Sequence, residues 1–78
     1  MKLKAKIYNV ETGKPIVVLN EEDAKELAIL VSDRVKISKG GNLMTAIADN
    51  TKSFVKEGEI GVFAEVRNAL IKSIARNY

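Results

Sequence analysis

The order of strand and helix signals along this 78-residue chain constrains its fold more than any single motif. A strand, an acidic helix and a second strand are predicted in succession at 15–19, 20–27 and 33–37. The opening of the same pattern returns at 59–63 and leads into a helix, but no matching last strand follows. We therefore expect a barrel of two related halves, the second lacking its last strand, and residues 1–78 to be one domain of a longer protein.

The N-terminal segment 2–7 alternates polar and apolar residues, which is the period of a strand with one buried face. Clustered lysines on its polar side are suited to a phosphate backbone, but no aromatic stacking platform accompanies them in the sequence. We favour a solvated edge strand whose charges prevent pairing with other chains. The apolar side carries Leu3, Ala5 and Ile7, and the polar side carries Lys2, Lys4 and Lys6.

A glycine pair at 40–41, followed by Asn42, predicts the turn of a β-hairpin with a return strand at about 43–48. Backbone amides of such a pair are able to bind phosphate, but phosphate loops place their glycines at a helix N-terminus. Because a strand follows here, we favour the hairpin. Residues 49–53 are expected to form a polar connection.

The first helix is predicted at about 21–27, with Ala24 and Leu27 packed against the domain. Asn20 is a favourable N-cap residue, and acidic side chains in a first turn complement the helix dipole. The four carboxylates of this segment could bind a metal ion, but capping and the helix dipole account for the acidic residues without a metal. They belong to Glu21, Glu22, Asp23 and Glu26.

The last segment changes to the period of an amphipathic helix. Its apolar residues recur at spacings of three and four, and they form either part of the core or a surface that docks on a partner. We take this face as the candidate interaction site; it consists of Phe63, Val66, Leu70 and Ile74. Together the elements predict an α+β domain of about five to six short strands and two helices.

The composition excludes several kinds of chemistry. The chain contains no cysteine and no histidine, so thiol catalysis, an imidazole base and His/Cys zinc sites are excluded. We expect no catalytic residue, no cofactor and no metal. A net charge of +3 is only mildly basic, and no segment approaches the roughly 20 apolar residues of a membrane span. We expect a cytoplasmic location, no membrane contact and no preference for nucleic acid.

Six segments, taken in order, resemble the N-terminal domain of archaeal AMP phosphorylase, a relative of thymidine phosphorylase. No single segment is diagnostic; their order along nearly the whole chain carries the resemblance. The segments are 2–6, 11–15, 18–27, 33–35, 53–56 and 58–63.

The chain departs from this family at three places. The family usually has glycine at the position of Ala28, and a proline or similar turn residue near Val31. After Leu70 the chain also lacks the Gly-Asp-x-Val-x-Val type of ending that closes the second half of the barrel. This last departure agrees with a chain that is a fragment.

The resemblance implies a fold similar to a double-psi β-barrel. It also implies a parent enzyme that converts AMP and phosphate to adenine and ribose 1,5-bisphosphate in nucleotide salvage. In that family the phosphate-binding and catalytic residues lie in later domains, so no catalytic role passes to this chain. The resemblance implies an assembly domain whose partners are further copies of itself and the other domains of the enzyme.

Two other functions remain open. Residues 27–29 and 32–37 are similar to the strand and turn signature of AbrB-type swapped-hairpin proteins, which bind DNA as dimers. The acidic helix and the lack of an arginine patch disfavour that alternative. The second alternative is a protein-binding adaptor similar to the N-domains of AAA ATPases.

Overall fold

The computed structural model describes residues 2–75, and it describes side chains from Lys2 to Leu70. Five strands form one curled sheet with two helices, which confirms the predicted α+β class. In chain order the elements are β1 (Lys4–Ile7), β2 (Ile16–Asn20), α1 (Glu21–Glu26), β3 (Arg34–Lys39), β4 (Asn42–Thr51), β5 (Glu59–Val62) and α2 (Ala64–Ala75).

The sheet consists of two parallel pairs joined at its centre. The strand order is β1-β5-β2-β4-β3, with β1 parallel to β5 and β2 parallel to β4. The two pairs meet where β2 and β5 run antiparallel, and each of these central strands leads directly into a helix. The repeated strand–helix order predicted from the sequence is present as β2–α1 and β5–α2.

Strand β2 is central, and four of its five residues are buried. Its pairing register places Val17 beside Ala48 and Val62, and Val17 and Val62 pack against α2. We call this side of the sheet the core face. The opposite side, which carries Val18 and Gly61, is the outer face.

Helix α2 covers one part of the core face. Val66 and Leu70 form a buried cluster with Val17, Ala46 and Val62. The side-chain amide of Asn42 donates to the Leu70 carbonyl oxygen at 3.2 Å, so the hairpin also holds the helix. Since α2 lies against β2 and β4, its packing leaves β1 uncovered.

Strand β1 departs from the prediction for its apolar side. Ala5 is exposed and Ile7 is 51% exposed, although both were expected to be buried. The reason is position: β1 pairs only with β5 at one edge of the sheet, and α2 packs elsewhere. The prediction of an edge strand is confirmed.

Helix α1 begins as predicted, since the Asn20 side chain accepts a hydrogen bond from the Glu22 amide at 3.0 Å. Ala24 is buried, but Leu27 is not: it is the C-cap residue and is 37% exposed. Because α1 has only six residues and ends at Glu26, Leu27 is not placed on the buried side of a helical turn.

The hairpin is present with a two-residue turn at Gly40 and Gly41, whose φ angles are 55° and 86°. Such angles suit a tight turn between twisted strands and favour glycine. The return strand β4 is longer than predicted and includes residues 49–51, because Val18, Leu19 and Asn20 of β2 pair with them.

Candidate interaction site

The part of the core face that α2 leaves open forms an apolar slot of about 430 Å³. Central strands form its floor, and the residues beside β1 and after α1 form its walls. We define the slot by its apolar lining residues, which are Leu3, Val17, Leu19, Leu27, Ile29, Val35, Ile37 and Ile60.

Both edges of the sheet border the slot. Leu3 precedes β1, and Lys36 and Ser38 belong to β3 at the opposite edge. Because side chains alternate along a strand, Lys36 and Ser38 point to the outer face and present their backbone to the slot. An edge backbone beside an apolar groove is the combination that accepts an added strand.

An exposed apolar loop continues the surface beyond the slot. Leu30 is 72% exposed and Val31 is 55% exposed, while Ile29 lines the slot itself. The loop is held in this conformation because the Leu30 amide donates to Asp33 Oδ2 and the Ser32 amide donates to the Ala48 carbonyl, both at 2.8 Å. The apolar side chains thus project from a fixed loop.

The backbone of this loop is left-handed at Ala28 and Ser32, where φ is 57° and 73°. Side chains with a Cβ rarely adopt such angles. Ala28 occupies the position at which the resembled family usually has glycine, and the conformation gives a physical reason for that glycine.

The predicted interaction face on α2 divides in the structure. Val66 is fully buried and Leu70 is 7% exposed, so these two side chains belong to the core of the chain, the first of the two alternatives considered. Phe63 is half-buried and contacts the ring of Tyr8. Ile74 lies in α2, but its side chain is outside the described residues. Docking of a partner on this face stays a prediction.

The acidic cluster has a structural use that the sequence did not reveal. Asp23 is 5% exposed, and its Oδ2 accepts a hydrogen bond from the Gly58 amide at 2.8 Å. Asn20, also buried, donates from Nδ2 to the Val55 carbonyl at 2.9 Å. The two side chains hold the segment 52–58 against the sheet, in addition to capping α1. Within residues 2–70, no three acidic side chains come together as a metal site would require.

A second carboxylate fixes the connection between β1 and β2. Glu65 accepts hydrogen bonds from the amides of Thr12 at 2.9 Å and Gly13 at 2.6 Å, and from the Thr12 hydroxyl at 3.2 Å. Backbone hydrogen bonds from Thr12 hold the pKa of Glu65 below its ordinary value of 4.5. Partial desolvation raises this pKa by a smaller amount. These hydrogen bonds hold the turn at Thr12 and Gly13 against the first turn of α2, where Glu65 lies.

The lysine stripe lies on the outer face as predicted, at the edge of the sheet. Gly40 and Gly41 lie in the exposed hairpin turn and not at a helix N-terminus, which agrees with the hairpin interpretation. No helix within the described part of the chain is long and apolar enough to cross a bilayer.

Comparison with curated proteins finds relatives named AMP phosphorylase in several archaea. Identity is 44% over 72 residues with the protein of Methanococcoides burtonii and 46% over 66 residues with that of Methanosarcina mazei. It is 40% over 65 residues with that of Methanocella arvoryzae. These matches cover 92%, 85% and 83% of this chain, but only 14%, 13% and 13% of the relatives. No protein-family model matches the chain. The resemblance predicted from the sequence is confirmed.

Proposed function

Because this chain is homologous to a short part of the archaeal AMP phosphorylases, we propose that it is the N-terminal, non-catalytic assembly domain of such an enzyme. The observation that carries the proposal is the match of most of the chain to about one seventh of each relative. The remaining residues of the parent enzyme would convert AMP and phosphate to adenine and ribose 1,5-bisphosphate in the cytoplasm.

The open slot supports the assembly role. It is apolar, it is continuous with the buried core, and it lies between two strand edges. Burial of apolar surface drives association at about 25 cal/mol per Å² removed from water. We propose that the slot is covered in the parent enzyme, either by its later residues or by a second copy.

From the symmetry of the sheet we propose where a further strand of the parent protein would pair. In the first half, β2 leads into α1, and β3 then pairs antiparallel with β4, the parallel neighbour of β2. In the second half, β5 leads into α2, and β1 is the parallel neighbour of β5. By the same rule, a strand after α2 would pair antiparallel with β1 and would extend the sheet toward a double-psi barrel.

Hydrogen exchange of two amides tests this position. The amides of Lys4 and Tyr8 donate to the carbonyl oxygens of Gly58 and Val62, on the side of β5, so the alternation of a parallel strand directs the amides of Ala5 and Ile7 to the free edge. We expect both to exchange rapidly in the 78-residue chain and slowly in the parent protein. Slow exchange already in the 78-residue chain would instead indicate dimerisation by strand addition. Rapid exchange in both forms would contradict a closing strand on β1.

The mass of the native protein tests the proposal as a whole. An antibody raised against this chain should detect a band several times larger than 8.6 kDa in the source organism. The purified 78-residue chain should produce no adenine from AMP and phosphate. A native band at 8.6 kDa would contradict the proposal and favour the DNA-binding or adaptor alternatives.

A further inference from the structure

A stack of aromatic rings lies on the outer face of the sheet, away from the slot. The rings of Tyr8 and Phe54 are 4.6 Å apart and nearly parallel, and the ring of Phe63 lies 5.7 Å from that of Tyr8. Phe54 is 46% exposed. One face of its ring therefore rests on Tyr8, and nearly half of the residue is accessible to solvent.

The stack is built into the sheet. The ring of Tyr8 lies over Gly61, where a Cβ atom would be 3.4 Å from Tyr8 Cε2 and 3.0 Å from Val55 Cγ2. Glycine at this position leaves room for both side chains. Tyr8 also donates from its hydroxyl to the Phe54 carbonyl at 3.3 Å, so the Tyr8 side chain contacts both the ring and the backbone of Phe54.

Buried polar side chains hold the segment that carries Phe54. Asn20 contacts the Val55 carbonyl and Asp23 contacts the Gly58 amide, both on the C-terminal side of Phe54. The Phe54 amide itself donates to Thr51 Oγ1 at 3.2 Å. Phe54 is thus exposed on a supported segment, which lowers the conformational entropy lost when a ligand stacks on it.

Lysines without ion-pair partners stand beside the rings. Lys6 Nζ lies 5.8 Å from the centre of the Tyr8 ring, and Lys4 lies two residues earlier on the same face of β1. Within residues 2–70 neither forms a salt bridge. Glu59, which lies opposite Lys4 in the strand pairing, accepts a hydrogen bond from the Lys56 amide. A stacking ring with adjacent free cations complements a planar group that carries negative charge.

We propose that this outer-face site binds a nucleotide unit, with the base stacked on Phe54 and the phosphate near Lys6 and Lys4. Every nucleobase has a π-face that stacks on an aromatic side chain, and lysines attract phosphate. The unit is supplied either by a free nucleotide or by single-stranded nucleic acid. The proposal does not depend on the assembly role.

Fluorescence anisotropy of a labelled 12-residue oligothymidylate, in a salt series starting at 20 mM, tests the site on the 78-residue chain. Phe54→Leu removes the π-face and keeps an apolar side chain; we expect it to weaken binding roughly tenfold or more. Phe54→Tyr should retain binding. Lys6→Gln should weaken binding and flatten its salt dependence. Lys36→Gln, on the outer face of the opposite edge strand, is the matched control and should have little effect.

Amide chemical-shift mapping locates the site without any variant. Addition of the oligothymidylate or of AMP should shift resonances at 4–8 and 52–56. Shifts with AMP assign the site to free nucleotides, and shifts with the oligonucleotide alone assign it to single strands. The proposal is overturned by no shift with either probe at millimolar concentration. Equal binding of the wild type and Phe54→Leu would overturn it too, because lysines alone would then account for the affinity.

Discussion

At the scale of single residues, three residues affect the backbone in ways that could not be predicted from their residue types. Ala28 adopts an angle that favours glycine, Asp23 is a buried charge on a six-residue helix, and Glu65 binds a distant turn. Each acts through a contact with backbone. Each is therefore testable by a substitution that changes one atom group and leaves the apolar core unchanged.

Ala28→Gly should stabilise the chain by about 0.5–1 kcal/mol. A left-handed conformation costs a residue with a Cβ about 1–2 kcal/mol, and the greater freedom of glycine in the unfolded chain offsets part of the gain. Urea unfolding measures the change. Ala5→Gly is the control: its φ is not positive, so that variant should be destabilised. A loss of stability in Ala28→Gly would contradict the strain at this position.

Asp23→Ala should destabilise the chain by about 2 kcal/mol, because it removes the hydrogen bond from the Gly58 amide to a carboxylate that is itself buried. Asp23→Asn keeps an acceptor oxygen and should lose less. Glu26→Ala, an exposed carboxylate on the same helix, is the control and should change stability by less than about 0.5 kcal/mol. Equal losses of stability in Asp23→Ala and Glu26→Ala would indicate that only the negative charge near the helix matters, and not the hydrogen bond to Gly58.

Glu65 should make stability depend on pH in the acidic range. Its pKa in the folded chain lies below 4.5, so its hydrogen bonds stabilise the fold fully above that value. This contribution falls as the pH drops below 4.5 and is lost once the pH passes the folded-state pKa. Glu65→Gln should lower stability at pH 7 and show a smaller loss between pH 5 and pH 2. Glu57→Gln, at an exposed position, serves as the control in the same urea titrations.

At the scale of elements, helix α2 shows what periodicity determines and what it leaves open. The spacing of Phe63, Val66 and Leu70 places an apolar face on one side of the helix, and the helix is present at Ala64–Ala75. The same spacing serves a core helix or a docking helix. Val66 and Leu70 are core residues because β2, β4 and β5 supply a surface for them within the chain.

Leu70→Ala should therefore destabilise the chain by about 2–3 kcal/mol, in the lower part of the range of about 2–5 kcal/mol for truncating a buried leucine to alanine. Asn68→Ala, exposed on the same helix, should be close to neutral. Thermal unfolding followed by circular dichroism measures both. A near-neutral Leu70→Ala would contradict its place in the core and would return it to the candidate interaction face.

At the scale of the whole molecule, the main feature is a sheet whose core face is only partly covered. One part of that face is packed by α2, and another part is open as the slot. A thin core is expected at this size, since a domain of about 80 residues buries only about 60% of the surface of its unfolded chain. An uncovered apolar slot is then a substantial part of the surface available for association.

Leu27→Glu should reduce association through the slot. Leu27 lines the slot and is 37% exposed, so a charge there opposes burial without disrupting the core. In the parent protein we expect a lower assembled mass by light scattering. Leu43→Glu adds the same charge to a side chain that is 65% exposed on the outer face, and it should leave the mass unchanged. A similar mass for wild type and Leu27→Glu would exclude the slot as the assembly surface.

The sequence by itself determined the elements and their order, because these depend on neighbours along the chain. The buried run of β2, the Asn20 cap, the glycine turn and the period of α2 are all local signals. Only the tertiary structure decided which apolar sides are covered. Ala5 and Ile7 are exposed because β1 lies at an edge that α2 does not reach.

The candidate sites were less predictable for the same physical reason. The slot joins residues from both ends of the sheet, and the aromatic stack joins Tyr8 to Phe54, 46 positions apart. The lysine stripe was visible in the sequence, but its aromatic neighbour was not. Side-chain type and local period fix what a segment can form; long-range strand pairing fixes which side chains meet.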